Sequence, residues 1–209
     1  MKVVVPLRTS ECEYRRLAWE LCREQWLDRG ITPMETDDGG EVFSRGGSIN
    51  QAVEALEDDA VVVVVDADLM VDMDAIDEAV RVAAEAPGLV QPYDRIRYFD
   101  ATWERVEWDF RASSSTPLFG AANVFTKETW RRAGGFLAAF RGWGCEDIAF
   151  VHQCAVMVAP WRRVTGTIDH LWHPKTGAYV AVDNHDLLAQ VTGAETPNEL
   201  AEVIDALSA

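Results

Sequence analysis

The sequence predicts an α/β domain built around a mostly parallel β-sheet. Five consecutive valines, Val61–Val65, form a short apolar run typical of a strand buried on both faces. Such runs alternate with helical patterns as far as residue 92, which favours parallel strands joined by right-handed crossovers. A length of 209 residues with a hydrophobic fraction of 48% is sufficient for a sizeable core.

The first half of the chain supplies these alternating elements. The patterns predict strands at Lys2–Val5, Ile31–Thr36, Val61–Val65 and Leu89–Pro92, with helices beginning at a Ser10–Glu13 capping box, near Ile49 and near Asp74. The apolar face of the first helix is predicted from four residues: Tyr14, Leu17, Ala18 and Leu21.

The second half has a different texture. The segment from Tyr93 to Phe110 is rich in aromatic and charged residues and carries no clear element. Beyond it, the patterns predict a strand at Leu118–Phe125, a helix at Lys127–Ala133, a helix opening at Glu146, one or two strands within Trp161–Trp172, and an amphipathic helix at Pro197–Ala209 capped by Thr196.

Charge and cysteine content restrict the class of function. A net charge of −16 argues against a nucleic-acid or anionic-membrane surface, which needs clustered Lys and Arg. The four cysteines form no CxxC pair and no zinc-ligand pattern, so reduced thiols in the cytoplasm are expected. The N-terminus begins as a strand rather than a signal peptide, and no transmembrane segment is predicted.

Two aspartates follow the valine run. Asp66 and Asp68 lie two apart on an extended chain, so their carboxylates point the same way just beyond the strand. Ligands of open α/β sheets bind beyond the carboxyl ends of the strands, and paired carboxylates suit Mg²⁺ or Mn²⁺. The alternative is structural, because aspartates after a strand often cap the next helix or stabilise a turn.

Three further stretches carry candidate functional side chains. Arg8 follows the first strand, where a guanidinium suits a phosphate or a base, although exposed loop arginines are common. The stretch from Gly134 to Asp147 ends in Gly142-Trp143-Gly144-Cys145-Glu146-Asp147, where Trp143 offers a flat surface for a sugar ring and a carboxylate offers a general base. Its acidic residues are also what the first turn of any helix favours. His170 and His173 are candidate metal or phosphate ligands.

Taken together, these motifs resemble the GT-A glycosyltransferases over residues 1 to 190. Asp66-Ala67-Asp68 matches their DxD motif. Gly134-Gly135-Phe136 through Asp147 closely resembles the GGF…GWG.ED segment of the β-1,4-galactosyltransferases and the polypeptide N-acetylgalactosaminyltransferases, and the N-terminal half is similar to family-2 enzymes. The resemblance implies a single Rossmann-like GT-A catalytic domain at 1–190, with the helix of 191–209 packing on it.

The resemblance also implies roles for individual residues. The metal, Mn²⁺ or Mg²⁺, is expected on Asp68 and His170 with help from Asp66. Asp147 is expected to act as the catalytic base with Glu146 beside it, and Trp143 and Gly144 to form the acceptor side. The nucleotide-sugar, expected to be a uridine donor, is assigned to the following residues: Pro6, Arg8, Asp37, Arg45, Asn50, Asp66, Ala67 and, near the phosphates or supporting the metal ligands, His173.

The expected reaction transfers a sugar to a hydroxyl of a saccharide or protein, with inversion at the anomeric carbon. Cys145 stands where a glycine is common, and Ala138-Ala139 replaces a polar or acidic pair, so the acceptor is not defined by the resemblance. Two other functions remain open: a sugar-phosphate nucleotidyltransferase, which calls for a glycine-rich basic loop that Pro6–Ser10 does not provide, and a carbohydrate-binding protein without turnover.

Overall fold

The structure, a computed structural model, describes residues 1–8, 12–113, 118–142, 144–174 and 182–208. Over these ranges the strands form a central sheet and a smaller second sheet, and helices cover the central sheet.

The elements follow one another in a mixed α/β order. The strands are β1 (Lys2–Pro6), β2 (Met34–Thr36), β3 (Val61–Val65), β4 (Leu69–Val71), β5 (Val90–Gln91), β6 (Arg95–Phe99), β7 (Val106–Arg111), β8 (Ala122–Thr126), β9 (Arg162–Arg163) and β10 (Thr167–His170). The helices are α1 (Glu13–Leu27), α2 (Arg45–Glu54), α3 (Met73–Glu85), α4 (Lys127–Ala133), α5 (Glu146–Met157), α6 (Val182–Gly193) and α7 (Pro197–Ser208).

The central sheet has the strand order β2-β1-β3-β8-β5-β9. Strand β8 runs antiparallel to both of its neighbours, and the other strands share one direction. The predicted mostly parallel sheet is therefore confirmed. Strand β3 lies between β1 and β8, and Val62–Val65 are at most 1% exposed, because helices cover both faces of the sheet.

The second sheet, with the order β4-β10-β6-β7, was not predicted. Its β6–β7 hairpin lies within the charged and aromatic stretch, where polar residues alternate with Val106, Trp108 and Phe110. In this sheet His170 of β10 pairs with Leu69 of β4. The pairing matters for the site, since it brings the end of β10 against the residue that follows Asp68.

Helix α1 buries a different face from the predicted one. Tyr14, Leu17 and Leu21 are exposed, and of the predicted face only Ala18 is buried. The core side of α1 consists of Ala18, Trp19, Cys22 and Trp26. The two tryptophans and Cys22 are spaced for one helical face, and packing them removes more apolar area from water than packing Tyr14 and the leucines would. Helix α1 begins at Glu13 with Cys12 as its N-cap; Ser10 and Glu11 of the predicted capping box lie outside the described residues.

The C-terminal helices pack beside α5. Helix α6 continues past residue 190, the predicted end of the catalytic domain, and ends at Gly193. Helix α7 begins with a capping box in which Thr196 and Glu199 exchange hydrogen bonds, and Thr196 is the predicted cap. Within the described ranges, no helix has both the length and the apolar character needed to cross a membrane.

Candidate active site

The candidate site lies at the carboxyl end of β3, where chain segments distant in sequence meet. Asp66 and Asp68 lie in the turn between β3 and β4, His170 ends β10, and α5 begins there with Glu146 and Asp147. The site divides into two groups of side chains, which we call the histidine cluster (Asp68, His170 and His173) and the carboxylate cluster (Asp66, Glu146, Asp147 and Arg45).

In the histidine cluster, one nearly buried carboxylate faces two imidazole rings. Nε2 of His173 lies 2.9 Å from Oδ2 of Asp68, and Nε2 of His170 lies 3.9 Å from Oδ1. One ligand atom from each of these three residues lies within 4.8 Å of the others. Such a spacing permits all three side chains to bind a single ion.

The electrostatics of the histidine cluster favour the metal-binding protonation states. Burial raises the pKa of Asp68, but the hydrogen bond from His173 and the electrostatic interactions with His170, His173 and Arg15 outweigh it and lower that pKa to about 2. Burial lowers the pKa of His170. At neutral pH the cluster therefore presents an ionised carboxylate and, at His170, a neutral imidazole, which are the forms that bind metals.

The donor set indicates the type of metal. Mg²⁺ prefers oxygen ligands, whereas first-row divalent ions accept imidazole nitrogen as well as carboxylate oxygen. One carboxylate with two imidazoles fits Mn²⁺ better than Mg²⁺. The backbone supports the arrangement, because the amide of Leu171 donates to the carbonyl of Asp68 at 2.9 Å and so ties the end of β10 to this residue.

The carboxylate cluster is organised around the buried guanidinium of Arg45. Its Nε donates to Oδ1 of Asp66 at 2.8 Å, and its Nη1 donates to Oδ1 of Asp147 at 2.7 Å and lies 3.5 Å from Oε1 of Glu146. Arg45 is the first residue of α2, whose N-cap Ser44 accepts a hydrogen bond from the amide of Gly47. Asp66 thus contacts Arg45 rather than joining the histidine cluster.

Burial perturbs the acidic groups of the carboxylate cluster. It raises the pKa of Asp66 to about 6, against the opposing effect of Arg45 and with a further contribution from Asp147. Burial and the charge of Asp147 raise the pKa of Glu146 to about 7. Burial lowers the pKa of Arg45, but its three carboxylate neighbours outweigh this and raise it well above the ordinary value. The cluster therefore holds protons close to neutral pH.

Asp147 is fixed by its surroundings on β8 and the preceding turn. Asn123 donates to its Oδ1 at 3.2 Å, and a Cβ added to Gly120 would lie only 2.9 Å from its Oδ2. Gly120 has φ +87, and Ala121 has φ 60, an uncommon conformation for a residue with a side chain. Tyr93 donates to the carbonyl of Gly120 at 2.9 Å and so holds this strained turn against the carboxylate.

A third group of residues lies at the ends of β1 and β2. Arg8 donates from Nε to Asp37 at 2.9 Å and from Nη2 to Asp38 at 3.1 Å, and its guanidinium lies 5.1 Å from the ring centre of Phe43. Asp38 also accepts from Arg141 at 2.9 Å. Arg8 and Asp37, both predicted to bind the nucleotide-sugar, are therefore in direct contact, in a polar corner beside Phe43.

Of the other predicted site residues, some border the site and one is held away from it. Pro6 and Ala67 are buried at the ends of the strands, where their backbone borders the site. Asn50 is bound to the Gly135–Phe136 turn: its amide donates to the carbonyl of Phe136 at 2.7 Å, and its Oδ1 accepts from Trp130 and from the amide of Phe136, both at 2.9 Å. The structure therefore does not bring Asn50 to the carboxylates. Trp143 lies outside the described residues.

The loop before α5 is held by α6. Asn184 donates to the carbonyls of Arg141 at 2.9 Å and Gly144 at 3.1 Å. No local pattern predicts this contact, because 40 residues separate Gly144 from Asn184. The position of Arg15 next to His173 was missed for the same reason: α1 reads as an ordinary amphipathic helix, and nothing local shows which of its arginines faces the site.

Comparisons with known proteins agree with this geometry. The family described as the N-terminal domain of galactosyltransferase matches residues 101–176, which include α5, His170 and His173. A mutant of Drosophila β-1,4-galactosyltransferase 7, in complex with manganese, UDP-Gal and xylobiose, is similar in structure with a TM-score of 0.53 and 15% identity, over 87% of this chain and 76% of that one.

Two further solved structures are similar. The catalytic domain of Drosophila β-1,4-galactosyltransferase 7 in complex with xylobiose has a TM-score of 0.52 and 16% identity, over 94% of this chain and 80% of that one. GalNAc-T7 with UDP, GalNAc and Mn²⁺ has a TM-score of 0.56 and 12% identity, over 90% of this chain but 41% of that one. A comparison with curated proteins gave no match. The solved structures show that this chain has the GT-A glycosyltransferase fold.

Proposed function

We propose that the protein is a metal-dependent glycosyltransferase that moves a sugar from a nucleoside-diphosphate donor to a hydroxyl acceptor. The observation that carries the proposal is the juxtaposition of a three-residue metal-binding group, Asp68, His170 and His173, with the carboxylates of Glu146 and Asp147 at the carboxyl end of β3. A cation site next to a candidate base is what transfer from a diphosphate leaving group to a hydroxyl requires.

In this proposal Asp68, His170 and His173 hold Mn²⁺. When bound, the ion neutralises charge on the departing nucleoside diphosphate. The protein is strongly acidic, with a net charge of −16, so local cations are needed before any diphosphate can approach. Two of the solved structures of similar fold contain manganese together with UDP or UDP-Gal, which supports this choice of ion and of donor.

Asp147 is the proposed base. Arg45 and Asn123 both donate to its Oδ1, while Gly120 leaves space next to its Oδ2. In the proposed step, Oδ2 takes the proton of the acceptor hydroxyl as the hydroxyl oxygen bonds to the anomeric carbon and the bond from that carbon to the diphosphate oxygen breaks. Attack from the face opposite the leaving group gives inversion.

Glu146 orients the acceptor or donor sugar in this scheme. Its pKa of about 7 leaves it partly protonated at neutral pH, so it can donate a hydrogen bond to a sugar hydroxyl as well as accept one. Gly144 is proposed to border the acceptor side, and so is Trp143, which lies outside the described residues. The Drosophila enzyme crystallised with xylobiose supports a saccharide acceptor.

The polar corner formed by Arg8 and Asp37 is the proposed nucleotide site. Uridine is the proposed nucleoside, and the aromatic ring of Phe43 is the proposed surface against which its uracil base packs. Arg45, which contacts the carboxylate cluster, is proposed to add positive charge near the nucleotide. The cytoplasm is the proposed compartment, because it keeps thiols such as the buried Cys22 and Cys154 reduced.

One assay tests this proposal. The protein is incubated with Mn²⁺ and a panel of nucleotide sugars, and release of nucleoside diphosphate is compared with that of Asp68→Ala. Release by the wild type and loss in the variant are expected, and the anomeric configuration of the product decides between inversion and retention. Sugar binding without release would favour a carbohydrate-binding protein, and pyrophosphate formed from a nucleoside triphosphate would favour a nucleotidyltransferase.

A further inference from the structure

Arg15 occupies an unusual position for a cation in a candidate metal site. It lies in the first turn of α1, and its Nη2 is 3.2 Å from Nε2 of His173, while its Nε is 4.0 Å from Oδ2 of Asp68. Its side chain is 33% exposed, so the guanidinium faces the cluster and also reaches solvent. A fixed positive charge at this distance opposes the binding of a second cation to the same residues.

One donor of the Arg15 guanidinium, Nε, lacks a hydrogen-bond partner among the described residues, and the contact of Nη2 with His173 competes with Asp68. Nε2 of His173 lies within 2.9 Å of Asp68 and 3.2 Å of Arg15. A ring nitrogen that carries hydrogen donates to the carboxylate and cannot accept from the guanidinium, so the two contacts exclude each other. Within the described residues, the buried Nε of Arg15 has no hydrogen-bond partner.

These observations define a place for an anion with more than one charged group. A diphosphate placed between the cation of the histidine cluster and the guanidinium would accept a hydrogen bond from Nε of Arg15. Its negative charge would also separate the two positive charges. Arginine suits this role, because its planar fork of donors matches phosphate oxygens. The first turn of α1 adds the positive end of a 15-residue helix on the same side.

We propose that Arg15 is a diphosphate-binding residue that couples the binding of metal to the binding of the nucleotide. Without nucleotide, its charge weakens metal binding to Asp68, His170 and His173. With nucleotide, the diphosphate bridges the ion and Arg15, and each ligand then strengthens the other by the same factor. This inference rests on the proposed function and adds to it an order of assembly in which metal and donor bind together.

The test measures the Kd of Mn²⁺ by electron paramagnetic resonance, alone and with saturating UDP, UMP or inorganic diphosphate. For the wild type, UDP is expected to tighten Mn²⁺ binding by about tenfold or more, within the range of typical coupling, and UMP by much less. Inorganic diphosphate separates the phosphate contribution from that of the nucleoside. Equal tightening by UMP and UDP would contradict a diphosphate bridge.

Arg15→Met keeps the length of the side chain and removes its charge. Mn²⁺ alone is expected to bind more tightly to this variant than to the wild type. The tightening by UDP is expected to be about threefold or more smaller than in the wild type, because the repulsion is lost and the diphosphate keeps only its contact with the ion. Arg15→Lys, which keeps the charge, is expected to retain most of the coupling. If Arg15→Met keeps the full UDP effect, the inference is wrong.

Arg16→Met is the matched control. Arg16 is the next residue, and its guanidinium pairs with Glu20 one turn along the helix. Loss of coupling in both variants to the same extent would show a general effect of net charge and overturn a specific role for Arg15. If the wild type binds no Mn²⁺ under any condition, the proposed metal site itself fails, which is distinguishable from a site that binds Mn²⁺ without coupling.

Discussion

The histidine cluster and the carboxylate cluster differ in the ratio of acidic to basic side chains. In the first, the carboxylate of Asp68 faces His170, His173 and Arg15; in the second, three carboxylates surround Arg45. The first has ligand atoms spaced for a metal ion, whereas in the second a protein cation already compensates the acidic groups. Asp66 and Asp68 belong to one short motif but serve these two different sites.

The difference teaches that the spacing of two aspartates does not assign both of them to a metal. Their partners decide, and the partners come from distant parts of the chain. Residues of β10 and the segment after it reach Asp68, and α2 and α5 reach Asp66 through Arg45. Each of the following predictions disturbs one of the two clusters.

The largest effect is expected from Asp68→Ala. Removing the carboxylate of the histidine cluster should abolish Mn²⁺ binding and reduce turnover more than about 1000-fold, since metal assistance supplies several kcal/mol to the transition state. Turnover is measured as nucleoside diphosphate release. Asp74→Ala, at an aspartate side chain that is 99% exposed, is the control and should leave turnover unchanged. Turnover by Asp68→Ala within tenfold of the wild type would contradict the assignment.

Arg45→Met disturbs the carboxylate cluster. It leaves the carboxylates of Glu146, Asp147 and the partly exposed Asp66 without their cation, so the free energy of unfolding should fall by about 3–5 kcal/mol at pH 8. The loss should be smaller at pH 5, which lies below the raised pKa values of Asp66 and Glu146, because these two groups are then protonated. Urea denaturation measures both values. Arg29→Met, which removes a surface pair with Asp77, should cost about 1 kcal/mol or less. Similar losses for both variants would show that Arg45 does not hold the cluster together.

Gly120→Ala displaces the proposed base and leaves the metal site intact. The new Cβ would meet Oδ2 of Asp147 at 2.9 Å, so kcat is expected to fall about 10- to 100-fold while the Kd of Mn²⁺ stays unchanged. Gly30→Ala controls for backbone strain, since Gly30 also has positive φ but no neighbouring atom within 4 Å of an added Cβ. An unaltered kcat would show that Asp147 need not be held at this position.

The smallest effect concerns the pH dependence of stability. The pKa of Glu146 is raised in the folded state to about 7, from an ordinary value of 4.5. A raised carboxyl pKa contributes stability at low pH that is lost as the pH rises through the folded value. Between pH 6 and pH 8, the wild type should therefore lose about 1–2 kcal/mol relative to Glu146→Gln, which imitates the protonated form.

Denaturation of both proteins without metal, at several pH values, measures this difference. A constant difference across the range would mean that Glu146 does not titrate there. The Asp66 carboxyl group, with its raised pKa, is present in both proteins and so does not contribute to the comparison in first order.

Much of the fold could be predicted from local patterns. Helix α4 has the predicted bounds, and β3 and the Thr196 cap of α7 were identified from residue type and spacing alone. The β6–β7 hairpin was missed although Val106, Trp108 and Phe110 alternate with charged residues. The charges obscured the pattern, because the strand is exposed and lies at the edge of its sheet.

The site was harder to predict than the fold for a physical reason. Motifs gave the residue types, but burial and partners depend on contacts between distant segments. The guanidinium of Arg45 donates a hydrogen bond to Asp66, and Asn50 is hydrogen-bonded to the turn after α4. Pairing of β10 with β4 brings His173 as well as His170 to Asp68. No local pattern in the sequence carries the register of that pairing.

Mn²⁺ titration of three proteins, followed by electron paramagnetic resonance in the presence of UDP, tests the separation of the two clusters most directly. Wild type and Asp147→Asn should bind Mn²⁺ with similar Kd values, and Asp68→Ala should not bind it, while both variants lose turnover. Mn²⁺ binding that is lost in Asp147→Asn, or retained in Asp68→Ala, would contradict the assignment of the metal to the histidine cluster and of the base to the carboxylate cluster.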